Sequence, residues 1–228
     1  MSLKSNSQSS QDLFVLYCNN FKKNGTYVEI GSCDPIKMNN TYLLAKEYNW
    51  SGFMVELDKS FYELYKNVRS ESYHLIKDAT EIDFLDEFEK VKFPKNIDYL
   101  QIDLFVENGS TIKTLINLDN NILDTYKFAV ITFEHDYHIS YKYFKTDDLF
   151  NTRKLSRQIF EKRGYIMVFP DIRNTDIDPD PYEDWYIHPD LIDINLIYKL
   201  RLTTSLTHHE IINHVKNTCD EHFNKIKN

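Results

Sequence analysis

Glycine is scarce in this chain, five of 228 residues, and at one place its absence is informative. The first strand-like run leads into Glu29-Ile30-Gly31-Ser32-Cys33-Asp34. There Cys33 takes the place of a second glycine, and none follows before Gly52. A dinucleotide turn needs G-x-G-x-x-G so that a pyrophosphate can rest against a helix N-terminus. Its absence counts against a nicotinamide cofactor. Elsewhere the low glycine content accompanies abundant Asn, Ile, Lys and Tyr and reads as compositional bias.

Cysteine is sparse too. Cys18, Cys33 and Cys219 form no C-x-x-C pair, which argues against a disulfide framework and a structural zinc site and points to a reducing, cytoplasmic setting. No window approaches the roughly 18 unbroken apolar residues of a membrane helix, and no membrane partner is expected. The polar opening MSLKSNSQSSQDL lacks a signal-peptide core, so residues 1–12 are expected to be a flexible leader. Positive charge is in deficit, 27 Lys and Arg against 35 Asp and Glu for a net charge of −8, so no nucleic-acid partner is expected. No repeat, low-complexity tract or Pro/Gly linker divides the chain. A hydrophobic content of 42% suffices for a core, which implies one domain over 13–228.

What is present is alternation of strands and helices. Thr26–Ile30, Phe53–Glu56, Tyr73–Lys77, Ile97–Asp103, Phe128–Glu134 and Tyr165–Phe169 are short apolar runs rich in β-formers. Helical spacing separates them, at Phe61, Leu64, Tyr65 and Val68, then Phe84, Leu85, Phe88 and Val91. It returns at Ile112, Leu115 and Ile116, and at Leu155 and Ile159 before Gly164. Ser60 with Glu63, and Thr207 with Glu210, have capping-box spacing; the second opens a helix expected at about 207–226. Such alternation predicts an α/β, Rossmann-like fold, a mostly parallel sheet with helices on both faces and ligands beyond the strands' carboxyl ends.

Glu56 ends the second strand 25 residues after Gly31, near the spacing at which an acid reaches ribose hydroxyls. Singly, Gly31 reads as an ordinary turn and Glu56 as a solvent-facing strand end; together they favour adenosine binding. S-adenosylmethionine carries no phosphate and tolerates a bulkier turn, and an acid such as Glu29 suits a cationic ligand. Asp78-Ala79, after the third strand, is placed to meet the adenine amino group. The expected cofactor is S-adenosylmethionine, held by Glu29, Gly31, Ser32, Asn40, Glu56, Leu57, Asp78, Ala79 and Asp103.

The segments GTYVEIGSCD, Asn40-Thr41-Tyr42-Leu43-Leu44 and Trp50-Ser51-Gly52-Phe53-Met54-Val55-Glu56 resemble the FkbM-type S-adenosylmethionine-dependent methyltransferases. So do Ile97–Asp103, Val130–His135 and Glu183-Asp184-Trp185-Tyr186 with His188-Pro189. The likeness runs from Gly25 to Pro189. It implies a class I methyltransferase fold and O-methylation of a sugar, glycan or related small molecule. One position departs from the pattern: where the family reads D-x-E-G, this chain has Asp103-Leu104-Phe105-Val106, which removes a carboxylate from the acceptor side.

Methyl transfer needs alignment and a place for the acceptor's proton. In the run Glu134-His135-Asp136-Tyr137-His138, His135 is the expected general base, with Glu134 or Asp136 orienting it and Asp103 beside the reacting centre. The alternative is a polar loop capping a helix. Asp103, Glu134 and Asp136 are oxygen donors suited to magnesium, but no ligand spacing is visible and no metal is expected. His208, His209 and His214 read as the exposed face of the last helix. The run Asp176–Trp185, with two prolines and five acids, reads as a loop over the rim presenting Tyr182, Trp185 and Tyr186. Cys33 and Phe105 also motivate a second reading, a catalytically silent methyltransferase-like binding scaffold.

Overall fold

The computed structural model describes residues 3–146, 148–174 and 180–227. Its first half runs α1 (Gln11–Cys18), β1 (Thr26–Ile30), α2 (Tyr42–Tyr48), β2 (Ser51–Glu56), α3 (Tyr62–Val68), β3 (Tyr73–Ile76), α4 (Phe84–Lys90) and β4 (Asn96–Ile102). The second half runs α5 (Ser110–Asn121), β5 (Lys127–Glu134), α6 (Tyr137–Tyr143), α7 (Thr152–Lys162), β6 (Ile166–Arg173), β7 (Pro181–Ile187), α8 (Ile194–Leu200) and α9 (His208–Lys227).

The strands form one sheet in the order β3-β2-β1-β4-β5-β7-β6. The first five are parallel, and β7 is antiparallel to both β5 and β6. Strand order reverses between β1 and β4, so the loops leaving those two strands open a crevice at their carboxyl ends. β4 and β5 sit at the centre and are buried almost throughout, which is why they read as apolar runs without alternation.

Successive side chains of β1 go to opposite layers. Tyr27 joins a cluster with Phe14 and Val15 of α1, Leu44 of α2, Leu196 of α8 and Val215 of α9. Val28 and Ile30 join Phe84 and Phe88 of α4, Leu115 of α5 and Phe160 of α7. Close approach in the first layer depends on Gly52, where a Cβ would lie 2.3 Å from the Tyr27 ring. The α9 helix opens with the reciprocal bonds its sequence predicts: Thr207 N–H donates to Glu210 (2.8 Å) and Glu210 N–H to Thr207 Oγ1 (3.4 Å).

Several expectations change. Residues 3–12 are folded onto the body rather than forming a free leader. Asp12, buried, accepts from Ser5 Oγ (2.6 Å) and Asn6 N–H (2.7 Å), while Asn6 Nδ2 donates to the Ile36 carbonyl (2.6 Å). The Ser60–Glu63 box does not form; Asp58 instead caps the 3₁₀ turn that precedes α3, accepting from Ser60 N–H. His208 is buried and His214 half-buried, its Nε2 3.1 Å from the Leu200 carbonyl, so of the three only His209 is exposed.

The largest change concerns the expected lid. Residues 176–179 of it lie outside the described residues, and from Pro181 the chain forms β7, in register with β5 from Glu134–Glu183 to Val130–Ile187. Trp185 is fully buried and stacks on Phe14 at 4.5 Å. Tyr186 is buried against Phe160. These two aromatics are core, not ligand platforms.

Candidate active site

The crevice at the strand reversal holds a cavity of about 430 Å³, within the range of small-molecule sites. Of the expected cofactor contacts, Gly31, Glu56, Leu57, Asp78, Ala79 and Asp103 line it.

Gly31 is in the left-handed region at φ +85°, and a Cβ there would lie 1.8 Å from the Asp103 carbonyl oxygen. Only glycine lets the β1 and β4 loops meet this closely. Asp103 N–H in turn donates to the Ile30 carbonyl (3.0 Å). Glu56 ties the β1 loop to its own strand end. One carboxylate oxygen accepts from Cys33 N–H (2.7 Å), and the other from Leu57 and Asp58 N–H (2.8 Å each). The Asp78 carboxylate accepts from the Thr80 hydroxyl and amide, which hold its pKa below the usual value. Among the described residues Lys77 is the one basic side chain on the wall.

Glu29, Ser32 and Asn40 do not line the cavity; they brace the loop beneath it. The buried Glu29 carboxylate accepts from Thr41 Oγ1 (2.8 Å) and Asn39 Nδ2 (3.1 Å). Burial raises its pKa, against the pull of Arg69. Arg69 is itself buried and donates to Asn39, Thr41 and the Pro35 carbonyl. Ser32 Oγ lies 3.1 Å from the Val55 carbonyl and 2.8 Å from the Tyr65 hydroxyl. Asn40 Oδ1 is buried without a partner. No local pattern announces Arg69.

Phe105 is 68% exposed and Leu57 62%, and both line the cavity. Both present apolar surface to whatever occupies it. Its neighbour Val106 is fully buried. The sequence flags Phe105 only as a lost carboxylate; the structure makes it a wall of the site.

On the other rim Asp103, Glu134 and Asp136 meet at the ends of β4 and β5. Burial is the main cause raising all three pKa values, with repulsion from neighbouring acids added (Glu107 in the case of Asp136), and Asp103 is pushed up to about 7. Glu134 is raised well above the usual carboxylate range and shares its proton in a hydrogen bond with Asp103. Asp136 is held at φ +43°, ψ +43°, a conformation that costs a non-glycine residue energy. Its amide and that of His135 both donate to the Tyr182 carbonyl, at 2.9 and 2.7 Å, which sends the two side chains apart.

His135 consequently does not line the cavity. Its side chain is fully buried, Nδ1 accepts from Tyr137 N–H (3.2 Å), and Nε2 faces Asp184 at 3.5 Å and Asp171 at 3.8 Å. The expectation of a general base there gives way to a structural role. The donor atoms of His135, Asp171 and Asp184 lie within 4.8 Å of one another. However, Arg157 holds Asp184 through two bonds of 2.8 Å and reaches Asp171 at 2.8 Å, and Arg153 pairs with Asp171. Burial alone would raise Asp184, yet His135 and Arg157 outweigh it and hold its pKa low. These carboxylates already have their cations.

Among solved structures, cofactor-bound Rv0187 from MTB matches with a TM-score of 0.52 at 14% identity, covering 82% of this chain and 82% of its own. The chain has the class I methyltransferase fold. A TehB-like SAM-dependent methyltransferase from Corynebacterium glutamicum matches with a TM-score of 0.45 at 9% identity, covering 78% of this chain and 87% of its own. A 1,6-didemethyltoxoflavin-N1-methyltransferase from Burkholderia thailandensis gives 0.45 at 9%, over 81% and 79%. No protein-family model matches the chain, and no curated protein matches it. Among the described residues no helix is long and apolar enough to cross a membrane. Within the methyltransferase fold the cavity occupies the strand-reversal crevice, and its two rims carry the acids that the sequence placed at strand ends.

Proposed function

We propose that this chain is an S-adenosylmethionine-dependent methyltransferase of FkbM type, acting in the cytoplasm on a hydroxyl of a sugar, glycan or related small molecule. The observation that carries this reading is one cavity with two unlike rims: hydrogen-bonded acids Glu56 and Asp78 on one side and, on the other, Asp103, which hydrogen-bonds Glu134. The residues suit a phosphate-free adenosyl group. The loop after β1 lacks the glycines that would seat a pyrophosphate, Glu56 is at the ribose position, and Leu57 and Phe105 offer apolar faces to a base. The free, buried thiols of Cys18 and Cys219 suit a reducing compartment.

When bound, S-adenosylmethionine supplies an electrophilic methyl: the acceptor oxygen gains the carbon as the C–S bond breaks, its electron pair stays on sulfur, and the hydroxyl proton must leave. Asp103 is positioned to take that proton, because a carboxyl titrating near neutrality matches the operating pH of a general base. Glu134 holds the neighbouring proton and orients Asp103 through their shared bond. Glu29 and Arg69 keep the β1 loop in place without touching the reactants.

Incubation of the chain with S-[methyl-³H]adenosylmethionine and a panel of free sugars and glycans tests this. Transfer that disappears in Asp103→Asn supports it. Tight binding of the donor with no transfer to any hydroxyl would favour the silent scaffold. Absence of donor binding would contradict the cofactor assignment.

A further inference from the structure

The three cysteines are spaced so widely that no pairing shows in the sequence, yet two of them meet in the fold. Cys18 is the last residue of α1, and Cys219 lies within α9. Both are free thiols and both are buried, 2% and 1% exposed. Their side chains are hydrogen-bonded to each other, although nearly the whole chain separates them in sequence. Cys33 is apart from this pair, exposed and on the wall of the large cavity.

Packing holds the two sulfurs where they are. Ile211, Val215 and Cys219 recur every fourth residue along α9, on one face of the helix. All three are buried in the cluster that contains Val15, Leu16 and Cys18 of α1. The α1 helix is pinned in turn by Phe14, stacked on Trp185 of the sheet. Burial, with Cys219 beside it, pushes the Cys18 thiol well above its ordinary pKa, so it stays protonated and slow to react while the helices are closed. Oxidation therefore waits for the terminal helices to part, or happens as the chain folds, and chain ends are where such opening concentrates. A buried cysteine alone packs as a small hydrophobe. Two thiols in contact also need little movement to be joined.

We propose that Cys18 and Cys219 are a redox-active pair: free thiols in a reducing compartment, joined when a disulfide donor such as glutathione disulfide is in excess, and then clasping helix α1 to helix α9. The exchange balances in two steps. One cysteine thiolate attacks a sulfur of glutathione disulfide, whose S–S bond breaks and releases one glutathione. The other cysteine thiolate attacks the mixed disulfide, the Cys18–Cys219 bond forms, and the second glutathione leaves. Two protein thiols are oxidised, one glutathione disulfide is reduced, and the two cysteine protons end on the released glutathiones. Because the ring so closed spans nearly the whole chain, the bond restricts the unfolded state strongly. None of this depends on which cofactor the large cavity takes.

The test takes the unaltered full chain into two glutathione buffers, one mainly reduced and one mainly oxidised, both as the folded protein and during refolding from denaturant. Remaining thiols are then alkylated in denaturant and the peptides mapped by mass spectrometry. In the oxidised buffer the peptides of Cys18 and Cys219 should be joined, lighter by two hydrogens, with Cys33 left out of the bond. The oxidised chain should melt about 5–15 °C above the reduced chain, a gain that dithiothreitol reverses. Cys18→Ala and Cys219→Ala should each show neither the joined peptide nor the gain. Cys18 and Cys219 still unjoined after both routes, or either of them joined to Cys33 instead, overturns the proposal. So does a joined pair that melts no higher than the reduced chain, since the bond would then strain the fold instead of clasping it.

Discussion

The two rims of the cavity are built from the same residue types and behave in opposite ways. On the rim formed by β1, β2 and β3, the carboxylates are tied down. Glu56 accepts three backbone amides, Asp78 is held by Thr80, and Glu29 lies among Asn39, Thr41 and Arg69. On the rim formed by β4, β5 and β7, Asp103, Glu134, Asp136 and Glu183 crowd together, and burial, with repulsion from neighbouring acids, raises them all. Acids that are satisfied fix loop shape. Acids that are left short of positive charge are poised to take a proton or bind a cation.

The comparison breaks most visibly at Asp103. Replacing it with Asn should lower the methyl-transfer rate by about 10²- to 10⁴-fold, the usual worth of a general base, with little change in S-adenosylhomocysteine affinity. Single-turnover kinetics with labelled donor measures this; parallel losses in rate and affinity would move Asp103 to the binding rim. Trp185→Ala addresses whether β7 is core or lid. As core, it should cost about 3–5 kcal/mol of stability in denaturant unfolding, whereas a lid residue would leave stability unchanged and alter only acceptor affinity.

Phe105→Ala should weaken S-adenosylhomocysteine by about 1–2 kcal/mol through loss of ring contact, with Phe105→Trp retaining affinity. Equal affinity in all three forms would return Phe105 to being a mere lost carboxylate. The smallest effect is on pH dependence. Asp103 rises from 3.8 to about 7 on folding, so between those values the folded state holds more protons than the unfolded one. Stability contributed by these acids therefore falls as pH climbs through that window. Melting temperature should decline from about pH 4 to about pH 7, and decline less in Glu134→Gln, where one charge of the cluster is gone.

The rim formed by β1, β2 and β3 was legible in the sequence because it is local. Gly31, Glu56 and Asp78 each end or follow a strand-like run, and the fold brings those ends together. The rim formed by β4, β5 and β7 was less so. Neighbours 134 and 135 leave the strand on opposite sides, so with Glu134 bonded to Asp103 His135 turns into the core toward Asp184. That alternation was available as a signal. The β7 strand was hidden by its own composition: prolines and acids read as a loop, while the compensating Arg157 lies on α7, 27 residues before Asp184. Phe105 looked like damage because the pattern compared carboxylates, not the shape of a wall. Arg69 left no trace, since its partners come from three separate turns of chain.

The most direct test of the account is calorimetry of S-adenosylhomocysteine binding to the unaltered chain and to Glu56→Ala. The account predicts saturable one-to-one binding by the unaltered chain and its loss in the variant, because Glu56 both orders the β1 loop and stands at the ribose position. No binding by the unaltered chain, or unchanged affinity in Glu56→Ala, would contradict the assignment of this cavity to an adenosyl cofactor.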